Sequence, residues 1–345
     1  MSDSASPQAS SGLPPPAFRD MTEAISYADE TSFAALVEPY RRELHAHCYR
    51  MLGSVHDADD ALQETLLSAW KGRSGFEGRS SLRSWLYTIA TNASLRILRG
   101  RRRRDLPGTV GFGDDPREPL AEPLAESDWI EPYPDELLRY EEREGVELAY
   151  VAALQLLPPN QRAALILREV LDFSAQETAE ILDASVASIT SALQRARAKL
   201  DRELPARSQQ ETLRSLGETR TRELVDRFVD AWNRADIPGI VAMLAEDATF
   251  TMPPVPTWFR GREAIRIFLN RQFDEGRVLS ALWRFEATTA SGQAAMVGHR
   301  RDPETGRDEH STLTVLTFDG ERIAAVTAFM GQDVPRSEAN SQPTD

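Results

Sequence analysis

The sequence predicts a multidomain chain: two all-α units followed by a C-terminal α+β domain. Three observations carry this. From Phe33 to Arg104, and again from Leu157 to Leu200, apolar residues recur at spacings of three and four, the period of a helix with one buried face. Between these stretches, residues 105–150 hold 14 acids against 3 arginines, with prolines and glycines up to Pro134, so the helical pattern lapses into a linker. From about Thr219, one more amphipathic helix gives way to alternating segments, the period of strands.

In chain order, residues 1–30 are expected to be a disordered tail. The stretch up to Phe18 is rich in Ser, Pro and Ala and lacks the basic and apolar stretches of a signal peptide. The first helical unit is assigned to 31–104. Phe33, Leu36, Val37, Tyr40, Leu44, Cys48 and Leu52 form one stripe, and Gly53 ends that helix. In the next helix Ala58, Ala61, Leu62, Thr65, Leu66 and Ala69 face inward, while Asp59, Asp60, Gln63 and Glu64 make an acidic-polar outer patch. The segment FEGRSSLRSWLYTIATNASLRILRGRRRR then sets aromatics beside arginines, a pairing that suits stacking on unpaired bases and contact with phosphates. The linker spans 105–145. Its acid accounts for most of the net charge of −14 and leaves the flanking units locally basic. It is expected either to tether passively or to mask the arginines; within it, Trp129, Pro132, Tyr133 and Pro134 make a candidate anchored knob.

The second helical unit, 146–204, has the layout of a helix-turn-helix. Pro158-Pro159 start a helix, Ser174 and Glu177 form a capping box, and Ser185 caps the last helix after a short turn. That last helix buries Val186, Ile189, Leu193, Ala196 and Leu200. Its other face shows Ser188, Thr190, Ser191, Gln194, Arg195, Arg197 and Lys199, hydroxyls, an amide and cations that suit base edges and phosphates.

At this point the residues resemble a family. HDADDALQETLLSAW followed by F-x-G-x-S-x-L-x-x-WLYTIATN resembles region 2 of the extracytoplasmic-function (ECF) sigma factors, of the sigma-70 family, and LPPNQRAALILREV…RARAKL resembles their region 4. The resemblance covers about half of the chain. It implies a bacterial transcription initiation factor whose region 2 binds core RNA polymerase and melts the −10 element, and whose region 4 reads the −35 element. Carried over by position, it implies polymerase contacts at Asp60, Gln63, Glu64 and Trp70. It places Phe76 and Asn92 near a pocket for a flipped base, and Trp85, Tyr87, Arg96 and Arg99 on the melting and backbone-contact surface. Arg195 matches a DNA-contacting arginine. Many relatives carry a basic residue at the position of Thr190 and an arginine near Ala192, so the −35 readout of this chain is expected to differ.

After a short linker at 205–218, the third domain spans 219–332, with a tail from 333 to 345. Leu224, Val225, Phe228 and Trp232 line a helix. PPVPTWF reads as a loop, and Asp319-Gly320 as a hairpin turn. The order resembles a SnoaL-like cone, three helices on a curved antiparallel sheet, and one sigma subgroup carries such a C-terminal domain. Some cone proteins are enzymes. Asp247, His299 and His310 are the residues to consider here, and they form no convincing acid–base pair. Trp258, Phe259, Phe268 and Trp283 read as core residues that could also line a ligand pocket. Two functions stand: a sigma factor with a fused regulator, or a cone enzyme carrying a DNA-targeting module. The LQET helix favours the first, because a targeting module needs no polymerase-docking surface.

One cysteine, Cys48, excludes an internal disulfide and fits a reducing cytoplasm. His45, His47 and Cys48 lie on one helix, whereas zinc wants four well-spaced ligands, so no metal is expected. No cofactor and no membrane span are expected, since no apolar run approaches the roughly 20 residues a span requires. A small-molecule effector and a separate anti-sigma factor are left open.

Overall fold

The computed structural model describes residues 18–100, 103–106, 113–124, 129–138, 144–205, 207–274, 283–302 and 305–331. The first helical unit contains α1 (Phe18–Ser26), α2 (Glu30–Val37), α3 (Arg41–Leu52), α4 (Val55–Gly72) and α5 (Leu82–Leu98). α1 corrects the expected tail: its Ile25 is fully buried. The single stripe from Phe33 to Leu52 is split by a 3-10 turn at Glu38–Tyr40, where Pro39 cannot donate a helical hydrogen bond. Gly53, at φ +70°, ends α3, and the Ser54 side chain caps α4 by accepting from the Asp57 amide.

The second unit runs through α6 (Leu148–Gln155), α7 (Pro159–Leu165), a π turn at Ile166–Val170, α8 (Ala175–Ile181) and α9 (Val186–Glu203). The Ser174–Glu177 capping box and the Ser185 cap both form. The segment read as a linker after it holds a further helix, α10 (Gln209–Leu216). It starts on its own Ser208–Glu211 capping box, and Glu147 accepts from the Gln209 and Gln210 amides. A carboxylate there meets the positive end of the helix.

The third domain packs α11 (Glu218–Asn233), α12 (Ile237–Met243) and α13 (Arg262–Asp274) on a sheet of β1 (Leu244–Met252), β2 (Val255–Arg260), β3 (Trp283–Ala290), β4 (Gln293–Arg301), β5 (Asp308–Asp319) and β6 (Arg322–Met330). Strand order is β2-β1-β6-β5-β4-β3. The β1–β6 pair is parallel and the others are antiparallel, so the sheet is mixed. The expected PPVPTWF loop supplies most of β2, whose pairing with β1 overrides the prolines at its start. Among the described residues, no helix is long and apolar enough to cross a membrane.

Because side chains alternate along a strand, the sheet has two distinct faces. Phe250, Met296, Leu316 and Val326 point toward the domain's own helices. Ala295, Leu313, Val315 and Phe329, on the other face, belong to the same apolar core as both helical units. The sheet is thus buried on both sides, and all three domains share one seam.

His47 lies at the centre of the first unit. It is fully buried, hydrogen-bonded to Thr91 at 2.9 Å, and burial followed by the nearby Arg50 and Arg83 charges pulls its pKa down to about 3. An unfolded chain takes up this proton near pH 6.5, and the folded chain resists it down to about pH 3. Stability therefore falls with pH across that window, by up to about 1.4 kcal/mol per unit from this group. His47→Gln should remove that part of the slope in urea unfolding between pH 7 and pH 4.5. Equal slopes in both proteins would contradict the assignment.

Candidate polymerase- and promoter-binding surfaces

The candidate polymerase face lies on α4. Asp60, Gln63 and Glu64 are exposed, and Leu67, which the sequence reading passed over, continues their stripe at 52% exposure. Spacings of three, four and seven place the four on one side of the helix. Trp70, three residues past Leu67 and seven past Gln63, continues the edge of this stripe. It is half-buried, edge-on to Phe33 at 5.5 Å, with the Arg73 guanidinium 3.5 Å from its ring centre. Glu64 pairs with Arg96 of α5 at 3.1 Å, a solvated contact worth less than about 1 kcal/mol and easily exchanged.

On α5 Asn92 and Arg96 are exposed, as is Arg99 at its C-terminal cap. Trp85 is half-buried against Phe76 at 5.0 Å, and Phe76 is buried. Tyr87 corrects the expectation of a DNA-facing surface. It is fully buried between His47 of α3 and Phe173 of the second unit, at 5.1 Å from each. Burial also raises its hydroxyl pKa above the usual range. The arginine run departs from expectation as well. Arg101 and Arg102 lie outside the described residues, Arg103 pairs with Asp105 at 2.8 Å, and Arg104 is buried on Asp57 at 2.8 Å and on the Trp129 carbonyl at 2.9 Å.

On α9, Ser188, Thr190, Ser191, Gln194, Arg195 and Arg197 are all exposed while Ile189, Leu193, Ala196 and Leu200 are buried, as the periodicity predicts; Val186, expected inside, is instead 39% exposed in the first turn of the helix. Arg197 is ion-paired with Glu169.

Residues that sequence reasoning missed hold the units together. Arg83 donates to the Leu171 carbonyl at 3.3 Å and lies 4.5 Å from the Phe173 ring. Arg162 is buried and donates to Met51 of α3 as well as to its own unit. A cavity of about 200 Å³ lies on this seam, with Arg103, Arg104 and Arg162 among its walls. The linker is no passive tether. Its first part follows β2, with Asp114 pairing to the Trp258 backbone and Ala121 donating to Thr257. The knob then crosses between domains. Glu131 accepts from the Ser54 hydroxyl and the Val55 amide at 2.8 Å each, at the start of α4. Tyr133 is fully buried; its hydroxyl lies 2.7 Å from His45 Nδ1, and its backbone exchanges two hydrogen bonds with Ser291. The dense aromatics of WIEPYPDELL were the available signal.

Of the expected ligand-pocket set in the cone, Trp258 parts from the other three, which pack in or against one apolar core. Trp258 and Phe259 are neighbours on β2 and project to opposite faces. Phe259 stacks on Phe268 at 4.5 Å within the core, and Trp283 stacks on Phe285 at 5.8 Å. Asp247 is exposed and sits 3.6 Å from Arg260. Among the described residues, no cluster of His, Cys, Asp and Glu could hold a metal. Cys48 is buried, its thiol pushed up to about 12 by that burial.

Comparison with known proteins decides among the readings of these surfaces. Family models match residues 36–104 as sigma-70 region 2, 147–200 as sigma-70 region 4 and 225–326 as a SnoaL-like domain. The ECF RNA polymerase sigma factor SigG of Mycobacterium tuberculosis is 40% identical over 319 residues, covering 88% of this chain and 83% of that protein. This chain is an ECF sigma factor. It binds core RNA polymerase and directs it to promoters to initiate transcription. The ECF sigma factor SigW of Bacillus subtilis is 26% identical and matches the sigma factor over 52% of its length, and 92% of its own. The crystal structure of the M. tuberculosis ECF sigma factor SigJ covers 87% of the sigma factor and 97% of that chain at 22% identity, with a TM-score of 0.56, a likeness of fold.

Proposed function

We propose that α4 docks on the polymerase through Asp60, Gln63, Glu64 and Leu67, that α5 engages the melted −10 strand through Asn92, Arg96 and Arg99, and that α9 reads the −35 element through Ser188, Thr190, Ser191, Gln194, Arg195 and Arg197. In this reading the SnoaL-like domain is a regulator that catalyses nothing, and the factor works in the cytoplasm. One observation carries the regulatory part: both sigma regions and the outer sheet face share a single buried core, spanned by the Trp129–Leu138 strap. Gripping DNA at two separated elements requires regions 2 and 4 to part, so a common core opposes that step. The exposed Asp247 and the stacked Phe259–Phe268 pair support a non-catalytic cone.

The test is run-off transcription with purified core polymerase on a genomic fragment library. Glu64→Ala combined with Gln63→Ala should weaken core binding at least tenfold. Arg195→Ala should leave core binding intact and lower specific transcripts about tenfold, since one good base contact is worth about 1–3 kcal/mol. Unchanged core binding in the first variant, or unchanged transcripts in the second, would remove those residues from the assignment.

A further inference from the structure

We infer that α1 is a cover over the promoter-melting loop of region 2, the segment between α4 and α5, and that it must lift before the loop can hold an extruded base. The inference rests on the melting role proposed above for α5. α1 lies ahead of the residues that the region 2 model matches, yet it is fastened to this loop. The Ser26 hydroxyl donates to the Arg73 carbonyl at 3.4 Å, and Arg73 Nε donates to the Ala28 carbonyl at 3.2 Å. Ile25 anchors the helix in the core. Further along the loop, Gly78 adopts φ +67°, and a Cβ built there would stand 3.5 Å from Thr22 Cβ, so helix and loop backbone touch.

The aromatic side chain of this same loop is closed as well. Phe76 is buried and closed against Trp85. An extruded base is held by stacking on exposed rings and by edge contacts, and its extrusion costs unstacking energy that the pocket must return. A loop pinned shut returns none. Tyr27, beside these hydrogen bonds, is 88% exposed, so this end of the cover lies at the surface. Short elements at the surface open locally without global unfolding.

The geometry provides a reversible lock. A Cβ separation of 3.5 Å lies at the short end of the range a disulfide accepts. In the double variant Thr22→Cys and Gly78→Cys the Thr22 hydroxyl that a Cβ at residue 78 would strike is gone, the side chain at φ +67° carries backbone strain, and the pair should close oxidatively; the natural Cys48 is buried away from it. With the full chain assembled on core polymerase, the oxidised factor should bind core normally and yield at least tenfold fewer run-off transcripts. Reductant should restore them. Equal transcription by the oxidised and reduced forms would overturn the inference. Should the double variant be inactive in both forms, Ile25→Asp, which unseats α1 and leaves the loop sequence intact, decides: more transcripts than wild type support a cover, and equal or fewer overturn it. Asn92→Ala separates the two readings. If it abolishes initiation while the lock does nothing, only the cover fails; if it changes nothing, the melting role fails and the cover with it.

Discussion

Tyr133→Ala should cost about 3–5 kcal/mol of stability, the range for truncating a buried aromatic, and should loosen the SnoaL-like domain from region 2. Tyr133 is fully buried and touches both partners. Its ring lies 4.5 Å from Tyr49 and 5.4 Å from His45, both on α3. Its amide donates to the Ser291 hydroxyl at 2.9 Å, and its carbonyl accepts from the Ser291 amide at 2.7 Å, at the turn between β3 and β4. Truncation empties a ring-sized space between the domains and strips the His45 ring nitrogen of its 2.7 Å partner. Tyr133→Phe isolates that second effect and should cost about 1–3 kcal/mol, the penalty of a buried polar group left unpaired. Urea unfolding measures the loss. Hydrogen exchange at the Ser291 amide reports whether the strap has detached, and run-off transcription should rise as the closed state loses population. An unchanged urea midpoint with unchanged Ser291 exchange would show that the strap is not what joins the domains.

Local rules made most of the helices legible. Gly53, Ser174 with Glu177, Ser185 and the Asp319-Gly320 turn each act within a few residues, and each stands where its chemistry puts it. The exposed face of α9 followed from periodicity alone because its buried residues all face their own unit. What escaped the sequence depends on contacts between segments far apart in the chain. Tyr87 has the amphipathic surroundings of a surface residue until Phe173, 86 positions later, closes over it. β2 became a strand because β1 and the linker offered it partners, which no local preference encodes. Arg104 looked like part of a phosphate-binding run, yet Asp57 and the Trp129 carbonyl hold it inside. That mistake has a plain source: composition gives a charge its sign but says nothing about its partner.

Arg162→Leu should be among the most damaging substitutions in region 4, at about 3–5 kcal/mol, because it leaves several buried oxygens without their donor at about 1–3 kcal/mol each. Arg162 is 3% exposed, and burial lowers its pKa to about 10. Its guanidinium donates to the Leu154 carbonyl at 2.8 Å, the Gln155 side-chain oxygen at 2.6 Å, the Gln155 carbonyl at 3.1 Å, the Leu157 carbonyl at 3.2 Å, and the Met51 carbonyl. The Met51 carbonyl belongs to the last turn of α3, where helical carbonyls lack intrahelical donors and the helix dipole favours a cation. Leucine fills much of the volume and satisfies none of these oxygens. Arg162→Lys keeps the charge but has three donors on one nitrogen and cannot span the fork, so it should recover less than half of the loss. Because one acceptor lies in region 2 and four in region 4, the variant should weaken both the end of α6 and the seam. Exchange of the α6–α7 amides should rise first, followed by separation of the two regions under lower urea than wild type requires. If lysine restored full stability, the fork geometry would be irrelevant and the charge alone would account for Arg162.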